Sequence, residues 1–194
     1  MRNRIIIACV VWISVFAAVA LAGCSVEGRT TTYGLGERDT LRIKLDSVHE
    51  RIWVLDLEGV RVYDSSRKRL VHKIPLPRWS VARFNCMPDM VLDRSGSAYI
   101  SSNVQPKLWR IDADKFQVKE LDVRLQGREN WDMGFGALTF AADGSLLALT
   151  SMGRWLWKID VAGGVARSVE PDVTVATVCD FTTLLLSDLE RNRP

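Results

Sequence analysis

The chain has 194 residues, 47% of them hydrophobic and 25% charged; it is long enough to bury a core and too apolar for extended disorder. Its formal net charge is +3, and two of the basic residues, Arg2 and Arg4, flank an apolar N-terminal run. Without residues 1–23 the balance is 24 basic against 23 acidic side chains, which leaves no electrostatic footprint for nucleic acid.

Arg2 and Arg4 form a short positive region, Ile5 to Leu21 carries no charge, and Leu21-Ala22-Gly23-Cys24 follows. This is the layout of a secretory signal. A plain cleaved signal or an uncleaved anchor are the alternatives; the run is slightly short for a spanning helix, and neither needs a cysteine there. Leu-Ala-Gly-Cys resembles the lipobox of bacterial lipoproteins. That resemblance implies cleavage before Cys24, acylation of Cys24, and attachment to a lipid membrane in the bacterial cell envelope. Each buried methylene adds roughly 0.8 kcal/mol, so several chains on one residue anchor firmly where one is marginal. Ser25 is compatible with the periplasmic face of the outer membrane in a Gram-negative cell. Residues 24–40 are polar, contain glycine, lack a clean period, and read as a tether.

From position 41 the chain is organised by a 48-residue repeat. Leu108-Trp109-Arg110-Ile111-Asp112 returns as Leu156-Trp157-Lys158-Ile159-Asp160, and Val60-Arg61-Val62-Tyr63-Asp64 holds the same phase one unit earlier. The turn at Ser95-Gly96-Ser97 returns, at the same interval, at Asp143-Gly144-Ser145. A fixed period in this range marks a repeat architecture. The first unit predicts strands over 41–45, 51–57, 60–63 and 70–76. The second predicts 90–93, 97–102, 107–112 and 117–123, and the third 137–141, 145–150, 154–160 and 166–169. Gly, Asp and Ser turns separate them. The expected fold is all-β: a β-propeller-like array of four-stranded antiparallel blades, about three and a half in number. The domain spans 41–194, with blades at about 41–76, 84–123, 132–170 and a partial one at 179–194. A β-sandwich is the alternative, but it does not demand a register kept through two periods.

Met90 to Asn103, continuing to Leu108-Trp109-Arg110-Ile111-Asp112, resembles a blade of the NHL or gluconolactonase-like propellers. The resemblance covers 41–172 well, and that group holds lactonases, lyases and plain binding modules. It implies first strands around a central channel with ligands at one mouth. The residues leading into those strands are then the candidate binding set: Asn85, Asn130, Trp131, Asp132 and Asp180. Asp132 and Asp180 lie 48 apart, and with the asparagines they supply oxygen ligands suited to a Ca²⁺ or Mg²⁺ ion. The competing role for these Asx residues is hydrogen bonding to turn backbone. Trp79 also precedes a first strand and is placed toward the mouth. Trp109 and Trp157 belong between blades, and Asp64, Asp112 and Asp160 serve the turns that follow their strands. No catalytic residue emerges: there is no nucleophile elbow and no phosphate loop, and His49 and His72 lack ligand spacing.

After processing, Cys86 and Cys179 are the remaining cysteines. They open strands two blades apart and are expected as buried free thiols, because blade centres are too far apart for a bridge. The function expected is a membrane-anchored module that binds a small molecule, glycan or protein across the mouth; a metal-dependent lactonase- or lyase-like enzyme is the alternative. Three blades and a strand fall short of the four to eight typical of closed propellers. An incomplete propeller is expected, either a truncated relative of a larger one or one closed by self-association or a partner, unless residues 25–45 supply the missing strands of a small four-bladed ring.

Overall fold

The computed structural model describes residues 40–83, 86–129, 131–152, 155–169 and 179, all within the unit Leu35–Pro194. The signal, Cys24, the tether before Thr40, Asn85, Asn130, Asp180 and the rest of the partial blade lie outside the described residues.

Three antiparallel meanders account for the strands. The first is β1 (Thr40–Asp46), β2 (Arg51–Asp56), β3 (Gly59–Asp64) and β4 (Leu70–Ile74). The second is β5 (Met90–Leu92), β6 (Ala98–Ser101), β7 (Lys107–Ile111) and β8 (Val118–Asp122). A short β9 (Arg124–Leu125) precedes the third, β10 (Phe135–Phe140), β11 (Leu146–Thr150), β12 (Leu156–Asp160) and β13 (Val165–Val169). Within each meander neighbours in sequence are neighbours in the sheet. β9 is the exception: it adds to the outer edge of the third sheet, parallel to β13, with Val165 opposite Arg124. The second sheet thus hands its chain to the edge of the third before β10 begins.

Carboxylates fix the turns. Asp64 accepts from the backbone N–H groups of Ser66 (3.0 Å) and Arg67 (2.7 Å), Asp112 from Asp114 and Lys115, and Asp160 from Ala162 and Gly163. These are Asx turns, and they establish the structural role expected of the three repeat aspartates. In the first-to-second turns, Gly96 and Gly144 adopt φ of +80° and +83°, a region closed to most side chains. The carboxylates there differ in place. Asp93 stands before its turn and accepts from Ser95 and Ser97, whereas Asp143 sits inside its own and accepts from Ser145.

Period-two alternation sends successive side chains to opposite faces, and the second sheet is apolar on both. Trp53, Leu55, Val60 and Val62 pack against Met90, Ile100, Trp109 and Ile111 between the first and second sheets. Tyr99 and Leu108 pack against Phe135, Leu146, Trp157 and Ile159 between the second and third. Trp109 and Trp157 are buried between sheets as expected, and the Trp109 indole N–H donates to the carbonyl of Pro77 at 3.0 Å. Trp79 corrects the sequence reading. It packs edge-on to Trp109, with ring centroids 5.2 Å apart, and its N–H donates to the Asp56 carbonyl. A ring of that size beside an apolar core is drawn into it, so Trp79 belongs to the first interface and not to a mouth.

The first strands β1, β5 and β10 are neighbours, and one carboxylate ties them. Asp89, 7% exposed, accepts from Arg42 Nε of β1 at 3.0 Å and from the backbone N–H of Met90 at 2.8 Å. Its other oxygen accepts from the N–H of Leu138 in β10 at 2.9 Å.

Candidate binding site

In an antiparallel meander the turn between second and third strands lies at the end where the first strand starts. The segments leading into β5 and β10 therefore share one end with the β6–β7 and β11–β12 turns. Backbone bonds join them there. Phe135 N–H donates to Ser102 O (2.6 Å), Ser151 to Gly134 (2.8 Å), and Cys86 to Ser151 (3.1 Å). No side chain fits at the two glycines of this junction: a Cβ on Gly134 would lie 2.2 Å from the Asn103 carbonyl carbon, and one on Gly136 2.2 Å from Cys86 Cβ. Asn103, 1% exposed, orders the approach to β5. Its amide donates to Ala82 O (2.6 Å) and Cys86 O (3.2 Å) and accepts from the Ala82 N–H.

Cys86 and Cys179 form a disulfide here, with Cα atoms 5.1 Å apart. This overturns the expectation of free thiols. The expected separation is that of blade centres, but Cys86 lies over the start of β10, against Gly136 and Ser151. At that point the blades converge, and a bridge-compatible distance is reached.

Of the predicted set, Trp131 and Asp132 are described, and both are at this end. Trp131 is half-buried, Asp132 exposed. The Trp131 N–H donates to Arg128 O at 3.0 Å, closing a turn. Trp155, from the β11–β12 turn, meets Trp131 edge to face, with centroids 5.5 Å apart at 75°. The Arg128 guanidinium carbon lies 3.9 Å from the centre of one ring and 4.0 Å from the other. Met152 of the same turn as Trp155 is 55% exposed. Trp155 and Arg128 were missed in the sequence. Neither has a motif, and neither lies next to Trp131 in the sequence.

Beyond this cluster, Glu120 is held below the usual carboxylate range, first by the Arg78 guanidinium and then by the Lys107 ammonium. Among the described residues no three His, Cys, Asp or Glu side chains are grouped to hold a metal ion. His49 pairs with Asp46 (2.8 Å), and His72 stacks on Phe116. At the other end of the inner strands, Lys44, Leu45, Val91, Leu92, Thr139 and Phe140 line a cavity of about 390 Å³. A second, of about 510 Å³, lies under the turns at Asp143 and Asp160.

Solved structures share this arrangement. The β-propeller domain of Myceliophteria thermophila Cps50 matches over 69% of this chain and 44% of its own, at 13% identity and a TM-score of 0.50. The fold is a β-propeller. Virginiamycin B lyase from Staphylococcus aureus matches at 15% identity and a TM-score of 0.51, over 72% of this chain and 43% of the lyase. An extracellular domain from B. thetaiotaomicron matches at 18% identity and 0.51, over 73% of this chain and 18% of that one. The chain thus spans less than half the length of these matched chains. No family model and no curated protein matches the sequence. Trp131, Asp132 and Trp155 stand at the end of the third sheet where β10 begins.

Proposed function

We propose that this chain is an exported, lipid-anchored propeller module that binds a small molecule, glycan or protein at the mouth formed by Trp131, Asp132 and Trp155. The observation that carries the reading is aromatic surface where the blades converge. Trp131 and Trp155 lean on the second interface and are only partly buried, and Met152 of the same turn as Trp155 is more than half exposed. A cluster of aromatic and methionine side chains left open in this way is the composition of binding surfaces. Anchoring rests on the Leu21-Ala22-Gly23-Cys24 sequence, and export agrees with an extracellular domain among the fold's relatives.

Fractionation tests the anchor. Wild-type chain is expected in the membrane fraction, and Cys24→Ala as an unprocessed or soluble form; a Cys24→Ala chain processed and membrane-bound like wild type would overturn it. The competing reading, a metal-dependent lactonase or lyase, requires a cation bound to the native state. Ca²⁺ or Mg²⁺ would then raise the melting temperature, whereas the binding-module reading expects no metal-specific rise.

A further inference from the structure

The mouth also holds a guanidinium that has no anionic partner among the described residues. Among the described residues five arginines are partly buried: Arg42, Arg51, Arg61, Arg110 and Arg128. Arg42 pairs with Asp89 and Arg61 with Asp56, Arg51 donates to the Ala113 carbonyl, and Arg110 donates to the Ser97 hydroxyl. Of the five, only the Arg128 side chain has neither a hydrogen bond nor an ion pair among the described residues; its guanidinium lies against the two indoles.

That arrangement has a chemical consequence. A cation–π contact holds the guanidinium through its charge and satisfies none of its N–H donors with an anion. A guanidinium presents these donors in a flat, rigid fork that matches a carboxylate through two parallel bonds. Contact with two rings holds the guanidinium in place in advance, so less side-chain freedom is lost on binding. The acidic neighbours in sequence do not fill the place. Glu129 accepts from the Gly127 N–H at 3.0 Å, which holds its carboxyl below the ordinary range, and Asp132 forms no ion pair with Arg128.

We infer that Arg128, braced by Trp131 and Trp155, is the anion-recognition residue of this mouth, and that the ligand carries a carboxylate. The inference rests on the mouth being the binding surface and adds the chemical class of what binds. The indoles and Met152 supply apolar area for the body of the ligand, and Arg128 supplies its orientation. An acidic sugar and an acidic amino acid both offer that chemistry.

Amide and indole NMR spectra of the purified full chain in nonionic detergent test it. The Trp131 and Trp155 indole signals are assigned with Trp131→Phe and Trp155→Phe. Titration with glucuronate and with N-acetylglutamate distinguishes the two carboxylate sources; glucose and N-acetylglutamine are the neutral controls. At least one carboxylate is expected to shift both indole signals while its neutral counterpart does not. Arg128→Gln should abolish the shift, and Arg128→Lys, which keeps the charge without the fork, should weaken binding by on the order of tenfold. Unchanged signals elsewhere in the variant spectra establish that these chains are folded. Equal shifts from glucose and glucuronate, or shifts that survive Arg128→Gln, would overturn the carboxylate inference and leave the mouth reading standing. Shifts at other sites only, or none, would overturn the inference as well.

Discussion

Asp89 gives the sharpest test of how the blades are joined. Asp89→Ala leaves two backbone N–H groups, of Met90 and Leu138, and the Arg42 guanidinium without their acceptor. Each buried donor left unpaired costs about 1–3 kcal/mol, and breaking a buried ion pair costs about 3–5. The Arg42 side chain is 29% exposed and rehydrates, so its share falls to about 1 kcal/mol. The expected loss is about 3–7 kcal/mol, or roughly 6–28 °C in melting temperature for a chain of this size. Asp89→Asn keeps the shape but turns an amide N–H toward one of the three donors, for about 2–3 kcal/mol. Urea unfolding followed by tryptophan fluorescence should show a lower midpoint at constant slope. If both variants stay within about 0.5 kcal/mol of wild type, as ordinary surface substitutions do, Asp89 does not tie the blades.

Three further outcomes are expected. The Cys86–Cys179 bond closes a separation of 93 residues; non-reducing peptide maps should show the linked pair, and a Cys86→Ser, Cys179→Ser chain should lose about 2–4 kcal/mol. Gly136→Ala should cost about 1–3 kcal/mol by overpacking against Cys86, measured by the same unfolding, and an unchanged midpoint would place Cys86 elsewhere. Acid should destabilise the fold. Asp64 is held low first by the Arg67 N–H, Asp112 by the Lys115 N–H, and Glu120 by Arg78. With folded pKa values depressed, the unfolded chain takes up protons first on acidification. The stabilisation is therefore whole above the unfolded values, near about 4, and is lost as pH falls through the folded ones. A urea midpoint that rises below about pH 4 would contradict this.

What was legible in the sequence is what repeats. The three meanders follow the 48-residue spacing almost strand for strand, because turn carboxylates such as Asp64, Asp112 and Asp160 act locally and recur. What was not legible acts once and over long range. Asp89 has Leu41 and Ala137 at its repeat positions, so no periodicity marks it, although it meets all three blades. β9 pairs across 41 positions with β13, and its two residues carry no strand pattern of their own. The disulfide was misjudged because spacing along a repeat measures distance between blades and not their convergence. Arg128 looked like any surface arginine until Trp131 and Trp155, 24 residues apart, were seen to meet around it. Of the candidate set, Trp131 and Asp132 lie at the end where β10 begins, while the meeting of Trp131 with Trp155 and Arg128 was not readable.

The most direct measurement of the central claim is where on the propeller ligands bind. Amide NMR of the full chain, titrated with a panel of neutral and acidic sugars and short peptides, locates the perturbed residues. The account predicts shifts clustered at one end, on Trp131, Asp132, Met152 and Trp155. Shifts confined to the opposite turns, around His49, Gly96 and Gly144, would contradict it.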